Sequence, residues 1–207
     1  MNVYETLENV FKLYEKHGDK GYIGEPITQL EHAMQAALLA IEYFEKAACN
    51  IHSEVIVATF LHDVGHLLRY EEEFNGELMG EYGVMDHEKV GALFLHKLGF
   101  PIIVCKLVAT HIATKRYLIT KKPEYYGNLS PASKATLEYQ GGMFTEKQIV
   151  AFEKDSLFKF HLKLREWDDR AKETDLNLLN KIRKINLREF FKKYIEELKE
   201  KCGPNEY

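Results

Sequence analysis

The sequence is poor in cysteine, and its three thiols form no recognisable pattern. Cys49, Cys105 and Cys202 are odd in number and widely spaced along 207 residues. Disulfide frameworks need even sets of cysteines, and zinc knuckles need paired ones. The sequence therefore excludes a disulfide-built domain and predicts ordinary thiols in a reducing compartment.

The sequence also lacks long apolar runs and an excess of positive charge. No stretch approaches the roughly 20 apolar residues that span a bilayer. Its 28 basic and 32 acidic residues leave a net charge of −4, which gives no general attraction to nucleic acid or acidic membranes. The N-terminal stretch MNVYETLENVF is amphipathic and unlike a basic signal peptide. We therefore expect a soluble, cytoplasmic protein without nucleic-acid or membrane partners.

Apolar residues make up 45% of the chain, and their spacing is helical almost throughout. Stretches such as TQLEHAMQAALLAIEYFEKAA, SEVIVATFLHDVGHLL and IIVCKLVATHIATKRYLI repeat apolar residues every three or four positions. We predict Ser53 and Asp86 as N-caps of two helices, and Pro101 as the start of another. No useful stretch has the period of a strand, and no break is wide enough for a second domain. The sequence predicts one all-α domain over residues 1–207.

The stretch FLHDVGH, residues 60–66, places titratable side chains on an otherwise apolar helix. Adjacent His62 and Asp63 lie about 100° apart around a helix, so both can edge one cavity. Asp63 has two carboxylate oxygens and can join two cations, whereas a histidine terminates one. His66 lies one turn after His62 and faces the same pocket.

Further metal-ligand residue types lie on other predicted helices. His32, His87 and His111 come from three of them, and Asp168 and Asp169 lie in WDDRAK. Imidazole and carboxylate suit iron, manganese or zinc, and helix bundles build such sites from side chains that point inward. The joint pattern predicts a metal centre. A lone histidine is more often a core residue, and we assign these histidines to that class: His17, His52, His96 and His161.

The order H…HD…H…H…D, with HD inside an apolar helix, resembles the HD-domain superfamily. Plain HD phosphohydrolases hold one metal, and the two extra histidines match the subset that holds two. Within that subset the sequence is most similar to the mixed-valence di-iron oxygenases. These include myo-inositol oxygenase and the enzymes that cleave carbon–phosphorus bonds of hydroxylated aminophosphonates. YIGEPITQLEH, ATHIATKRYL, LSPASKATLEYQGG and LREWDDRAK carry the similarity to the phosphonate branch, which runs from about Tyr22 to Lys172.

The resemblance implies an HD-domain helical bundle with an inward-facing dinuclear metal site and flanking terminal helices. It implies two iron ions in the mixed-valence Fe(II)/Fe(III) state, with Asp63 bridging. The implied ligands are His32, His62, Asp63, His87, His111 and Asp168. Asp168 is preferred over Asp169 because it stands four residues before Lys172, the family spacing. From residue chemistry alone the metal stays open, because such sites accept several divalent ions.

The resemblance also gives roles to residues beside the metals. Tyr22 would ligate one iron at rest, and substrate would displace it while Glu25 swings in to pair with the substrate ammonium. His66 matches a position near the substrate. A trimethylammonium group would instead favour an aromatic face, which Tyr22, Tyr82 or Trp167 could offer. The degree of N-methylation stays open, although Glu25 favours the primary amine.

Three further residues match positions that hold the phosphonate in this family. They are Lys115, Ser133 and Arg165. From local signal alone, Lys115 is also consistent with a solvated cation at a helix end. Ser133 is also consistent with the N-cap of ASKATLEYQ. Arg165 is also consistent with a surface partner of Glu166 or Asp169.

The resemblance implies an O2-dependent dioxygenase. It would cleave the C–P bond of a 1-hydroxy-2-aminoethylphosphonate-type substrate to phosphate and glycine, or to an N-methylated glycine. One alternative is a metal-dependent HD phosphohydrolase that acts on a nucleotide or phosphate ester with an activated water. Another is a regulatory HD module that binds a phosphorylated ligand without turnover. The sequence favours the oxygenase because no ligand position is missing and a phosphohydrolase does not need the Tyr22 and Glu25 loop. It does not define the oligomeric state.

Overall fold

The computed structural model describes residues 3–47 and 50–201, so Cys49 and Cys202 lie outside the described part of the chain. Within these ranges the secondary structure is helical. The only β pairing there is two isolated bridges, Gly21 with Thr28 and Leu78 with Val84. The all-α prediction is confirmed. In the described ranges, no helix combines the length and the apolar character needed to cross a membrane.

The chain order of the helices agrees with the apolar periodicity of the sequence. The helices are α1 Val3–His17, α2 Gln29–Lys46, α3 His52–Leu61, α4 Val64–Leu67, α5 His87–Lys97, α6 Ile102–Lys121, α7 Pro123–Asn128, α8 Pro131–Ala135, α9 Glu146–Glu153, α10 Phe158–Arg170, α11 Leu176–Ile182 and α12 Leu187–Lys201. At the start of α2 the Thr28 hydroxyl accepts from the Glu31 amide, and the Glu31 carboxylate accepts from the Thr28 amide. This reciprocal capping box fixes where the helix begins.

Helix α3 forms the centre of the fold. Its residues from Ser53 to Leu61 are all buried, and α2, α6, α10 and α12 all contact it. A helix that is apolar on every side has to be surrounded by other helices. The residues at its C-terminal end therefore lie deep in the protein, where α2, α6 and α10 can bring side chains to them.

The structure divides the stretch that the periodicity predicts as one helix. α3 ends at Leu61 and α4 begins at Val64, with Asp63 at φ −101° and ψ 10° between them. The amide of His66 donates to the carbonyl of Asp63 at 2.9 Å and starts the new turn. The prediction of a continuous helix through His62 and Asp63 is wrong, because the chain changes direction at the pair itself.

Of the two predicted N-caps, Ser53 is wrong and Asp86 is confirmed in position. Ile51 precedes α3, and the buried Ser53 hydroxyl donates to Glu197 of α12 instead of capping. Asp86 does stand at the N-cap position of α5, but its φ of +53° is left-handed and its side chain makes no capping bond. Its carboxylate pairs with Lys89 at 2.8 Å. Pro101 immediately precedes α6, as predicted.

Helices α4 and α5 cross with their backbones in contact at Gly65. A Cβ atom on Gly65 would lie 2.0 Å from the carbonyl oxygen of His87 and 2.8 Å from its carbonyl carbon. Gly91, one turn further along α5, has a looser but still tight contact, since its Cβ would lie 3.0 Å from the Gly65 amide nitrogen. The absence of both side chains lets the start of α5 lie directly against the His62–Asp63 break.

We predict that Gly65→Ala destabilises the protein by about 1–3 kcal/mol or more, because the methyl group overlaps backbone atoms that have no room to shift. Gly127→Ala is the control: Gly127 lies in α7 with nothing within 4 Å of its Cβ position. We expect this change to be neutral or stabilising by up to about 1 kcal/mol. Urea denaturation measures both. Equal stability of the two variants would contradict the close-approach argument.

Candidate metal centre

Six buried ligand-type side chains gather at the centre of the helix bundle in two groups of three. In each group, one potential ligand atom from every residue lies within 4.8 Å of the other two. The first group is His32, His62 and Asp168, and the second is Asp63, His87 and His111. These are the six residues that the sequence proposed as ligands, so the structure brings all of them together. Their assignment as ligands stays a prediction.

The first group draws on α2, on the break after α3, and on α10. The Nε2 atoms of His32 and His62 are 3.1 Å apart. Asp168 Oδ1 lies 3.5 Å from the Nε2 atom of His32 and 3.8 Å from that of His62. Asp169 points elsewhere, toward Arg165 and Tyr125. The geometry therefore favours Asp168 of the two adjacent aspartates.

The second group joins the start of α5 to the middle of α6. The Nε2 atoms of His87 and His111 are 3.1 Å apart. Asp63 Oδ1 lies 3.2 Å from the Nε2 atom of His87 and 3.4 Å from that of His111.

Asp63 faces both groups at once. Its second oxygen, Oδ2, lies 3.6 Å from the Nε2 atom of His32 and 3.4 Å from that of His62. One carboxylate oxygen therefore points to each histidine pair. This is the arrangement in which a carboxylate can bridge two cations.

In three of the four histidines, a hydrogen bond from Nδ1 to a backbone carbonyl orients the ring so that Nε2 faces the cluster. The Nδ1 atoms of His32, His62 and His111 donate to the carbonyl groups of Ala171, Thr59 and Val108 at 2.8, 2.7 and 2.8 Å, respectively. A ring that donates from Nδ1 presents a lone pair at Nε2 when it is neutral. Lone pairs of paired imidazoles that face each other need a positive charge between them. The residues present therefore fit metal cations.

His87 differs from the other three histidines. Among the described residues its Nδ1 atom has no hydrogen-bond partner, and it lies 3.9 Å from the buried Glu88 Oε2. Its ring is stacked on that of His66, with centroids 3.9 Å apart and an angle of 21°. The amide of Val84 donates to His66 Nδ1 at 3.1 Å. Burial, reinforced by His87, holds the pKa of His66 well below its usual range.

Without metal, a proton supplies the missing positive charge. Burial lowers the pKa of His62, but the carboxylates of Asp63 and Asp168 outweigh burial and raise that pKa to about 10. Burial also acts against the charge of Asp63, but the His62 charge and hydrogen bonds from His111, His62 and His87 together outweigh burial and hold the Asp63 pKa well below its usual range. A metal cation that binds here would displace this proton.

A cavity of about 60 Å³ opens beside the cluster. Six residues that the sequence analysis offered for substrate or catalysis line it: Tyr22, His66, Tyr82, Lys115, Ser133 and Arg165. Others had not been proposed as site residues: Ile23, Met79, Ile112, Ala132, Thr136 and Gln140. The ligand-type residues Asp63, His87, His111 and Asp168 form its inner wall. A small molecule in this cavity would touch the cluster directly.

The cationic end of the cavity is built by Lys115 and the segment around α8. Lys115 is 2% exposed, and its Nζ donates to the Ser133 carbonyl and the Thr136 hydroxyl at 3.2 Å each. Burial, and then the nearby Arg165 charge, lowers the pKa of Lys115 to about 7. Ser130, not Ser133, caps α8, so the capping interpretation of Ser133 is wrong. The solvated interpretation of Lys115 is wrong as well.

Arg165 is buried and lines the cavity, so it is not a surface partner of Glu166. Glu166 pairs instead with Lys163 and Arg170. The Arg165 guanidinium pairs with Asp168, with 2.8 Å between Nη1 and Oδ2, and with Asp169.

Tyr22 covers the first group, and Glu25 points away from it. The Tyr22 ring is stacked on the His32 ring, with centroids 3.9 Å apart and an angle of 14°. Burial, then the charges of Asp63 and Asp168, raises the pKa of Tyr22 well above its usual value. The Glu25 carboxylate does not line the cavity, and its Oε1 lies 3.6 Å from Lys172 Nζ.

The Tyr22–Glu25 segment is a tight turn that packs against α8. The Glu25 amide donates to the Tyr22 carbonyl at 3.0 Å, and Gly24 has a φ of +76°, as a type II turn requires at its third position. A Cβ atom on Gly24 would lie only 2.8 Å from the Ala132 Cβ. Glycine is therefore needed here both for the backbone angle and for the close approach.

Thr136 and Gln140 are cavity residues that the sequence reasoning missed. Among the described residues, the buried Gln140 Oε1 has no hydrogen-bond partner, so it is free to meet a ligand. The sequence could have indicated both residues, because positions 133, 136 and 140 are three and four residues apart and share one face of a helical run.

The suggestion that Trp167 offers an aromatic face is wrong. Trp167 is 2% exposed and packs against Tyr43 and Phe44.

Comparison with known proteins agrees with this geometry. The family model for the HD domain matches residues 30–155. An uncharacterised protein of Acanthamoeba polyphaga mimivirus is 41% identical over 172 residues, which cover 82% of this chain and 74% of that protein. The 1-hydroxy-2-(trimethylamino)ethyl phosphonate dioxygenase (glycine-betaine-forming) of Leisingera caerulea is 34% identical over 176 residues, 85% of either chain. The hydroxymethylphosphonate dioxygenase of Gimesia maris is 37% identical over 168 residues, 81% of this chain and 79% of that one.

The HD match covers more than half of the chain and includes five of the six ligand-type residues, and the similarity to the two dioxygenases extends over most of the chain. That a single domain takes in all of residues 1–207 stays a prediction. The chain belongs to the HD-domain family, in the group that includes these phosphonate dioxygenases.

Proposed function

We propose that this protein is a di-iron oxygenase that uses O2 to cleave the C–P bond of a small 1-hydroxyphosphonate. One observation carries the proposal: the two oxygens of Asp63 face separate histidine pairs, beside a cavity that presents Lys115 and Arg165. Such a site can hold two cations within reach of one carboxylate and attract a dianion to them. The names of two relatives support the same chemistry, since both describe phosphonates with a hydroxyl group on the carbon next to phosphorus.

The finer proposal is that the substrate is 1-hydroxy-2-aminoethylphosphonate and the products are glycine and phosphate. The C1–H and C–P bonds break, and one O2 accepts the four electrons, so the products contain every atom of both reactants. When bound, two iron ions would supply the redox chemistry that couples these bonds to O2.

The phosphonate group would bind at the Lys115 end of the cavity. A dianion needs cations and hydrogen-bond donors. The Lys115 ammonium and the free N–H groups of Arg165 supply charge, and the Ser133 and Thr136 hydroxyls and the Gln140 amide supply polar contacts. Because these groups line the same small cavity as Asp63, His87, His111 and Asp168, the carbon next to phosphorus would lie close to the metal ligands.

Tyr22 would control access to the first group. Its ring lies flat on His32, so a substrate that reaches this group has to displace the ring. Glu25 sits three residues further along the same turn and would then be available for the substrate ammonium. Its present partner is Lys172, so capture of the ammonium exchanges one cation for another.

Oxygen uptake by the iron-loaded protein tests the function. We expect O2 consumption that depends on 1-hydroxy-2-aminoethylphosphonate and releases inorganic phosphate and glycine. Asp63→Ala should lose most of the metal and all measurable turnover, because it removes the carboxylate shared by both histidine pairs. His96→Ala, at an exposed position of α5, is the control and should keep both. Hydrolysis of a nucleotide or phosphate ester without O2 consumption would favour the phosphohydrolase instead.

The variant Glu25→Gln tests whether the Glu25 carboxylate binds the ammonium group of the substrate. We expect unchanged metal content and a KM for 1-hydroxy-2-aminoethylphosphonate that rises about tenfold or more, because a charge-assisted hydrogen bond contributes roughly 1.5–3 kcal/mol. The KM for hydroxymethylphosphonate, which has no amine, should stay the same. An equal rise for both substrates would show that Glu25 acts on the site in general and would argue against ammonium capture.

The lowered pKa of Lys115 predicts a pH dependence of anion binding. With a pKa of about 7, the ammonium is mostly charged at pH 6 and mostly neutral at pH 8.5. The nearby carboxylates of Asp63 and Asp168, whose pKa values lie well below the usual range, and the Arg165 guanidinium, whose pKa lies well above it, stay charged throughout. Binding of sulfate, whose charge is constant in this range, should weaken on the order of tenfold over this interval.

Calorimetry on the wild type and on Lys115→Met measures the effect. In the variant we expect weaker binding and a flatter pH profile, and the difference between the two proteins isolates the lysine. The same pH slope in both proteins would assign the dependence to other groups.

A further inference from the structure

We propose that Tyr125 and Asp169 are positioning residues of the metal centre. They fix the guanidinium of Arg165, which in turn occupies one oxygen of Asp168 and leaves the other oxygen for a cation. The inference deepens the proposed function and rests on its assignment of Asp168 as a metal ligand. Neither residue was selected from the sequence for this role.

Each of the three guanidinium nitrogens of Arg165 contacts a protein side chain. It is 2% exposed, and its Nη1 lies 2.8 Å from Asp168 Oδ2. Its Nε donates to the Tyr125 hydroxyl at 2.9 Å, and its Nη2 donates to Asp169 Oδ1. Each guanidinium nitrogen therefore has a protein partner, two through hydrogen bonds and Nη1 through an ion pair, and N–H groups remain for the cavity because the guanidinium has five.

Tyr125 and Asp169 also bind each other. The Tyr125 hydroxyl donates to Asp169 Oδ2, so its oxygen accepts from Arg165 while its proton goes to the carboxylate. The three side chains form a closed ring of hydrogen bonds that ties α7 to α10. Such a ring holds the guanidinium plane in one orientation, because a rotation breaks two of its bonds at once.

The ring lies behind Arg165, away from the substrate cavity. Asp169 lines a different groove, on the side of α10 that faces α2, together with Gln35 and Leu38. Arg165 and Asp168 line the cavity beside the cluster. Tyr125 and Asp169 therefore act on the cluster through Arg165, and we distinguish them from residues that touch substrate.

The consequence for Asp168 is that its two oxygens have different partners. Oδ2 is bound to Arg165, and Oδ1 faces His32 and His62. Asp63 differs, because both of its oxygens face histidine pairs. Arg165 thus holds the Asp168 carboxylate in one orientation and leaves a single oxygen, Oδ1, facing His32 and His62. Hydrogen-bond partners of metal ligands commonly change metal affinity by about 10–100-fold when they are removed.

Metal binding by the purified protein tests this inference without reference to turnover. We would titrate metal-free protein with Co²⁺ and follow its visible spectrum and heat of binding. In the wild type we expect two equivalents. In Tyr125→Phe and Asp169→Asn we expect one of the two ions to bind about 10–100-fold more weakly, with an altered spectrum, while the other ion binds as before.

The chain offers a matched control for each variant. Tyr126→Phe changes the neighbouring tyrosine, which is 44% exposed, and Glu166→Gln changes a surface carboxylate that pairs with Lys163. Both controls should bind two ions like the wild type, and urea midpoints should show that all four variants are folded.

Two results would overturn the inference. One is wild-type binding of both ions in Tyr125→Phe and Asp169→Asn, and the other is equal weakening of both ions together with a loss of stability. Failure of the proposed function has a different signature. A wild type that binds two ions but consumes no O2 with hydroxyphosphonates would refute the oxygenase and leave the positioning role of Tyr125 and Asp169 intact.

Discussion

The Asp63 carboxylate, set between two pairs of buried imidazoles, is the interaction on which the rest of the structure depends. Four histidines, three of them with the outer nitrogen bound to a backbone carbonyl, turn their inner nitrogens toward one carboxylate. Burying so many polar groups is costly unless each is paired. The surrounding helices meet that need with backbone carbonyls, with the Arg165 guanidinium and with the break between α3 and α4. The fold is arranged around this requirement.

The centre combines a rigid half and a more open half. His32, His62 and Asp168 are held by the Ala171 carbonyl, the Thr59 carbonyl and Arg165, and Tyr22 covers them. The second group borders the cavity, and His87 has a buried carboxylate nearby in place of a carbonyl acceptor. Two ions bound here would therefore have different surroundings. Different surroundings suit a pair of ions that have different roles in one reaction.

Helices and ligand types were predictable from the sequence, because apolar periodicity and residue chemistry are local properties. The break at His62 and Asp63 was not, because it depends on the contact between Gly65 and the His87 backbone, which is distant in sequence. Trp167 and Ser53 were misjudged for the same reason, since their partners lie on other helices. Thr136 and Gln140 carried a signal in their spacing. Nothing in the sequence indicated the role of Tyr125, because only the tertiary structure brings α7 beside α10.

The contact between Gly24 and Ala132 limits how relatives of this protein can vary. The turn that carries Tyr22 touches the helix that carries Ser133 at a point where a methyl group on Gly24 would overlap the Ala132 side chain. A lineage that enlarged Gly24 would push the Tyr22 turn away from the helix that carries Ser133. Changes at the two positions should therefore be found together, and a wider mouth for a bulkier amine would come with a remodelled α8.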